Sequence, residues 1–384
     1  MDAPVEIRSR LPRVGTTIFT TMSALAAECG AVNLGQGFPD FDGDPGLVAL
    51  VHDAMRAGHN QYAPMTGVPA LRAAIAAKVL ACHGVHYDAG AEITVTAGAT
   101  QALMAAIFCS VQPGDEVIVL EPCYDSYVPA IELAGGVPVY VTMDAPEYRF
   151  PLERIAAALT PKTRLLLLNT PHNPTGRVFG ADDMRSLADL LSDTRVLVVS
   201  DEVYEHIVFD GAVHESVARH PGLRERAFLI SSFGKTLHAT GWKVGYACAP
   251  AAMTRELRKV HQFMVFAVNT PAQHGIAAYL ADPSPWRELS AFYQAKRDAF
   301  RAGLASTRFE LLPCEGTYFQ CARYDAISDL PEAEFVQWLT REAGVAAIPV
   351  SAFLRRPSAT RVVRFCFAKR EATLAAALER LSRL

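Results

Sequence analysis

The chain has 384 residues, 51% of them hydrophobic and 20% charged, with a formal net charge of -4. That length can bury one large core or two, and the near-balanced charge offers nothing to a nucleic-acid backbone or an anionic membrane surface. No apolar run approaches a bilayer-spanning helix, and Asp2 and Glu6 interrupt the basic bias of Arg8, Arg10 and Arg13, so neither a membrane span nor a secretory leader is expected.

The 8 cysteines form no CxxC pair, and no cluster stands at metal-ligand spacing, so no metal site is expected. Cysteines in apolar settings, such as Phe365-Cys366-Phe367, read as reduced core thiols of a cytoplasmic protein.

In chain order, Gly35-Gln36-Gly37 comes first. It is not a dinucleotide fingerprint, because position 40 is Asp and Pro39 blocks a following helix. Residues 39–45 read as a linker. Strand-length apolar runs follow at 93–97, 117–120, 137–141, 165–169, 196–200, 228–231 and 244–249. They are near-continuously apolar, as strands buried on both faces are. Helix-length segments lie between them, among them 99–109, 181–191 and 251–263. This alternation predicts an α/β fold around a mostly parallel seven-stranded sheet.

Beyond 283 the pattern changes to α+β. Helices are expected at 288–304, 332–343 and 371–383, with short strands at 309–312, 317–321, 346–350 and 362–367. The domains expected are a large α/β unit over 45–283 and a smaller α+β unit built from 1–44 and 284–384.

Several strand ends carry chemistry-bearing residues. The apolar run at 227–230 closes into Ser231-Ser232-Phe233-Gly234-Lys235-Thr236, and Lys243 follows within Gly241-Trp242-Lys243-Val244-Gly245. A lysine at a strand end can be desolvated, which lowers its pKa and frees its lone pair for Schiff-base chemistry. Taken alone, Lys235 reads more simply as a solvated loop lysine.

The first strand runs into Gly98-Ala99-Thr100-Gln101 and a helix. The free N–H groups and dipole of a helix N-terminus can cradle a phosphate, against the simpler reading of a turn capped by Thr100. The strand at 165–169 ends in Thr170-Pro171-His172-Asn173-Pro174-Thr175-Gly176, a rigid turn around Asn173 in which His172 reads as a turn residue. Asp201 closes the strand at 196–200, where parallel sheets bind ligands, and if buried it needs a cationic partner. It could instead cap the next helix, and Glu202 competes for any role. His206 reads as structural. Arg364, with apolar neighbours in an expected alternating strand, is placed to grip a carboxylate, whereas Arg361 suits the surface.

These signals occur in one order with Asn33-Leu34-Gly35-Gln36-Gly37-Phe38-Pro39-Asp40, Asn60-Gln61-Tyr62 and Arg364-Phe365. Together they resemble the class I/II aminotransferases, pyridoxal-phosphate enzymes of fold type I, over nearly the whole chain. Segments 61–67, 260–262, 269–273 and 313–319 are similar to the bacterial methionine aminotransferases related to the kynurenine/glutamine aminotransferases.

The resemblance implies pyridoxal 5'-phosphate as cofactor and a homodimer with shared sites. Lys235 would form the Schiff base with the cofactor and later shuttle the proton between Cα and C4′. Asp201 would pair with the pyridinium nitrogen, so that the ring absorbs negative charge. Tyr204 and Asn173 would hydrogen-bond the ring oxygen, and Tyr124 would stack on the ring. The turn at Gly98, the N–H groups of Ala99 and Thr100, the Ser232 hydroxyl and the Lys243 ammonium would hold the phosphate. Lys243 stands where many relatives carry arginine. Tyr62 would reach the neighbouring subunit's phosphate. Arg364, with Asn173 and the Gly37 backbone, would take the substrate α-carboxylate.

No second arginine is evident for a dicarboxylic side chain. Ile18, Phe19, Tyr62, Phe266 and Phe353 would give an apolar, aromatic lining that favours methionine, leucine, phenylalanine, tyrosine or kynurenine over aspartate. Methionine is the donor the resemblance favours, with a 2-oxo acid as acceptor. A pyridoxal-phosphate β-lyase and a kynurenine/glutamine-type aminotransferase are the alternatives. A nucleotide-dependent oxidoreductase is disfavoured by the absent third glycine. A non-catalytic regulator would need a DNA-binding segment for which length and charge leave no room.

Overall fold

The structure is a computed structural model that describes residues 7–356 and 360–384. Asp2 and Glu6 lie outside the described residues.

All seven expected strands of the large unit form. After a short strand at Val32–Asn33 (β1) come Ile93–Thr96 (β2), Glu116–Glu121 (β3), Val137–Thr142 (β4), Thr163–Asn169 (β5), Leu197–Asp201 (β6), Ala227–Ser232 (β7) and Gly245–Cys248 (β8). They make one sheet in the order β2-β8-β7-β6-β5-β3-β4. Every neighbouring pair is parallel except those made by β8, which runs antiparallel to β2 and β7.

The apolar runs are continuous because both faces are covered. Leu165 and Leu167 pack with Ala102, Ala105 and Ala106 of the helix Gly98–Ser110. Leu166 and Leu168, one position along, point the other way, into a core shared with Leu71 and Ile75 of the helix Pro69–His83.

The reversed strand matters for the site. Because β8 begins where its neighbours end, Gly245 lies opposite both Thr96 and Ser232. Lys243 and Val244 therefore arrive at the same edge as Gly98, Asn169, Asp201 and Ser232. Only glycine fits at 245: a Cβ there would lie 2.8 Å from the Gly98 carbonyl carbon and 2.9 Å from the Ala99 nitrogen.

Beyond residue 283 the strands are Glu310–Leu311 (β9), Phe319–Arg323 (β10), Val345–Ala346 (β11), Ile348–Pro349 (β12) and Val362–Cys366 (β13). Four of them form an antiparallel sheet in the order β12-β13-β10-β9, and β11 pairs in parallel with β1. Helices Leu289–Leu304, Glu332–Glu342 and Glu371–Leu381 share their core. The N-terminal helix Ile18–Glu28 sends Met22 and Leu25 into that same core, and Leu34 joins them.

Three details differ from expectation. The run at 346–350 breaks into β11 and β12, and Val350 starts a 3-10 turn, Val350–Phe353. β10 begins at Phe319, because Thr317 has a left-handed φ of 65° that no strand continues through. β13 does not alternate: all five residues are buried because both faces of the strand are covered, Val363 and Phe365 in the smaller core and Val362 in the larger one. Among the described residues no helix is long and apolar enough to cross a membrane.

Candidate active site

A cavity of about 300 Å³ opens at the edge where β5, β6 and β7 end and β8 begins, and Phe19, Gly37, Phe319 and Arg364 reach it from the other core. A single helical turn, Phe233–Thr236, follows β7 and carries Lys235 into this space. Lys235 Nζ donates to the Tyr318 hydroxyl at 2.7 Å and to the Gly37 carbonyl at 3.2 Å. Both partners are neutral. Burial pushes the amine's pKa down to about 8, and the nearby Asp201 charge only partly opposes this. The solvated-loop reading of Lys235 therefore fails.

Asp201 ends β6 facing the cavity. Its Oδ2 accepts from the Tyr127 hydroxyl at 2.8 Å and its Oδ1 from the Val203 N–H at 3.3 Å. Burial raises its pKa to about 6. The cation expected beside a buried Asp201 is not among these partners: two neutral donors hold it. Glu202 turns to the opposite face by the strand's two-residue period. There it contacts His214 at 2.8 Å and accepts from Ser200 at 2.8 Å and from the Val217 N–H at 3.0 Å. Of the two carboxylates, Asp201 is the one that lines the cavity.

The helix Gly98–Ser110 aims its N-terminus at the cavity. Its N-cap is Ala97, with no side-chain hydrogen bond, so Thr100 is not the cap. Gly98 has a φ of +74°, and a Cβ there would lie 3.1 Å from Lys243 Nζ. The ammonium thus sits over uncapped N–H groups, and Ala99, Thr100 and Ser232 line the same pocket. Ammonium, hydroxyl and helix end together make an anion site.

Arg364 is 1% exposed on β13. Its Nη1 donates to Asn173 Oδ1 at 2.7 Å and its Nη2 to the Gly35 carbonyl at 3.1 Å, while its buried Nε has no partner. Three rings surround it, with centroids 3.9 Å (Phe319), 5.0 Å (Phe353) and 5.4 Å (Phe19) from the guanidinium carbon. Asn173 is fixed in turn, its N–H donating to Asn169 Oδ1 at 2.7 Å. Arg361, by contrast, pairs with Asp329 at 3.0 Å at the surface.

Tyr124 and Tyr204 line the cavity; burial raises the pKa of both phenols, that of Tyr124 to about 12. Ile18, next to Phe19, packs against the smaller core, and Phe353 is buried within it; neither lines the cavity. Tyr62 and Phe266 are not brought to the cavity of their own chain. They pack edge-to-face at 5.2 Å on the outside, 81% and 45% exposed, with Phe266 just past the end of the helix Ala251–Met264. His172 is a buried turn residue 2.8 Å from Thr175 Oγ1, with its pKa pushed down to about 3 by burial.

Sequence reasoning missed Tyr127, Tyr318 and Phe319. Tyr127 follows Tyr124 by three residues and opens the helix Tyr127–Leu133. Tyr318 and Phe319 lie within 313–319, a segment singled out above without a role for either.

Behind the sheet lies a second buried polar cluster. Glu205 accepts from Lys78 at 2.8 Å, Ser231 at 2.6 Å and Tyr246 at 3.2 Å, with His83 at 3.3 Å.

Around one cavity, then, stand an amine of lowered pKa, a carboxylate of raised pKa, an anion cradle and a desolvated guanidinium. On this mostly parallel sheet they define an aminotransferase of fold type I. The chain belongs to the aminotransferase class I and II family, which it matches over residues 30–381. It is 52% identical to the methionine aminotransferase of Escherichia coli, covering 99% of both chains. The crystal structure of YbdL from Escherichia coli, identified as having a methionine aminotransferase function, superposes with a TM-score of 0.98 at 52% identity, over 99% of this chain and 100% of that one. The N-succinyldiaminopimelate aminotransferase of Mycobacterium tuberculosis is similar at 41% identity and a TM-score of 0.94, over 98% and 100%.

Proposed function

We propose that this aminotransferase uses pyridoxal 5'-phosphate to move the α-amino group of methionine, and of other apolar or aromatic L-amino acids, to a 2-oxo acid. The residues present fit that cofactor. The cradle at Gly98, with Lys243 3.1 Å from where a Cβ would stand, suits its phosphate. Asp201, buried without a cation, suits a protonated ring nitrogen. When bound, the cofactor supplies an electron-accepting ring that spreads negative charge developing at the substrate Cα.

The chain's own residues do the rest. Lys235 Nζ would attach the cofactor and move the proton taken from Cα. Asp201 would keep the proton on the ring nitrogen. Tyr204 and Asn173 would hold the ring oxygen and Tyr124 the ring face. Ser232, Lys243 and the N–H groups of Ala99 and Thr100 would hold the phosphate. Arg364, already bonded to Asn173, would take the substrate carboxylate beside Gly37. Tyr62, exposed and packed on Phe266, is available to a second copy, which supports a homodimer with shared sites. Eight thiols suit a reducing cytoplasm.

The donor class rests on one observation: the Arg364–Asn173 pair sits among Phe19, Phe319 and Phe353, and among the described residues lining the cavity Arg364 is the sole arginine. An apolar side chain gains contact there, whereas a second carboxylate would find no second guanidinium and would compete for the lysines given other roles above. The relative at 52% identity, a methionine aminotransferase, supports the same donor.

The test is spectroscopic. Protein loaded with pyridoxal phosphate should lose its visible absorption band when L-methionine is added without any 2-oxo acid, and should release the matching 2-oxo acid stoichiometrically. A band that survives methionine but bleaches with aspartate overturns the donor class. No band after incubation with the cofactor overturns the cofactor.

A further inference from the structure

Lys235 Nζ, the Tyr318 hydroxyl and the Gly37 carbonyl oxygen form a closed triangle. Its sides are 2.7 Å from Lys235 to Tyr318, 3.2 Å from Lys235 to Gly37 and 2.6 Å from Tyr318 to Gly37. The three corners have different capacities. The carbonyl can only accept. The hydroxyl has one proton, and its contact with the carbonyl uses it, so its oxygen faces Lys235 as an acceptor. Both contacts of the amine are therefore donations from nitrogen.

A neutral amine has two N–H bonds and one lone pair. With both N–H bonds committed to Tyr318 and Gly37, the lone pair points away from both. Tyr318 is fully buried in the wall, whereas Lys235 and Gly37 line the cavity. The Tyr318 ring is held in turn, packing edge-on against Tyr204 at 5.2 Å and Phe319 at 4.9 Å, and tilted against Tyr293 at 5.6 Å.

We propose that Tyr318 is a positioning residue for the base: its hydroxyl, fixed by Gly37, holds one N–H of the Lys235 amine so that the lone pair is presented to the cavity and the substrate Cα proton. This rests on the role given to Lys235 above. Asp201, Cys366, Arg364 and Lys243 also act on the charge of this amine, and Tyr318→Phe leaves all of them in place along with the ring packing.

Two measurements test it. In cofactor-free protein, acetylation of Lys235 by acetic anhydride is followed against pH by peptide mass spectrometry. An acceptor favours the ammonium form, so its removal in Tyr318→Phe should move the labelling midpoint down by about half a pH unit. In the loaded enzyme the same variant should lose about tenfold or more in kcat, with the KM for methionine changed by less than about twofold. An unchanged labelling midpoint overturns the proposal, because the hydroxyl then does not hold the amine. A shifted midpoint with unchanged kcat also overturns it, because the hold then has no consequence for the base. The labelling needs neither cofactor nor donor, so it reads Tyr318 even where wild-type protein shows no transamination, the outcome that would instead remove the role of Lys235.

Discussion

Behind the seven-stranded sheet, Lys78 and Glu205 meet at 2.8 Å. In front of it, Asp201 is as buried as that pair and Lys235 is half-buried at the cavity wall, yet each is bonded to neutral groups. Burial alone would push the Glu205 carboxyl up, but Lys78, His206 and His83 outweigh it and hold it well below the usual carboxylate range. Asp201 has no such compensation and is pushed up to about 6. The same two side-chain types are therefore used in opposite ways. One pair is neutralised and holds the strand carrying Ser231; the other is kept apart, which leaves an amine able to give up its proton and a carboxylate in need of one.

The sharpest break of this comparison is Lys235→Ala. Turnover should fall by about 10³-fold or more with the far-ultraviolet circular dichroism unchanged, since no buried partner is orphaned. Retained turnover would remove Lys235 from the chemistry. Next comes Lys78→Met, which strands the Glu205 charge. Urea unfolding should show a loss of about 3–5 kcal/mol, as for other broken buried pairs. An unchanged midpoint would mean that the rear pair does not stabilise the fold.

The smallest effect separates the two carboxylates by pH. The Asp201 carboxyl has an ordinary value of 3.8 and a folded value of about 6, so between them the folded chain holds the extra proton. Its contribution makes the cofactor-free protein less stable as pH rises through that window. Glu205, with its folded value lowered, contributes stability that is present above its ordinary value of 4.5 and lost as pH falls. Asp201→Asn removes the first slope alone. At pH 8 the cofactor-free variant should melt about 2 °C higher than wild type, while its turnover with methionine falls. A lower melting temperature would show that the Asp201 charge is not a burden on the empty site.

The large sheet was readable because strands buried on both faces must be apolar at every position, as Leu165 to Leu168 are. Asn173, Asp201 and Lys235 were readable for the complementary reason: they are polar residues that close apolar runs. The direction of β8 was not, because Gly245–Cys248 is equally apolar in either sense. Asp201 and Glu202 could be told apart only once the strand's register put one on each face. Tyr127 and Tyr318 pass in sequence for ordinary core aromatics; Tyr318 becomes distinctive through a contact with Gly37, 281 residues away. Tyr62 and Phe266 lie outside their own chain's cavity, as residues meant for a neighbouring copy's site would.

The antiparallel pairing of β7 and β8 gives the segment between them an unusual economy. Ser232 and Gly245 face each other across one rung of the ladder. Everything between is a single loop clamped at its neck, and it carries both the amine of Lys235 and the ammonium of Lys243. The proposed tether and the proposed anchor of the cofactor thus belong to one cassette whose internal spacing is set locally. The carboxylate grip proposed for Arg364 comes from a different sheet altogether and meets the residues proposed for the cofactor through one side chain, Asn173, at 2.7 Å.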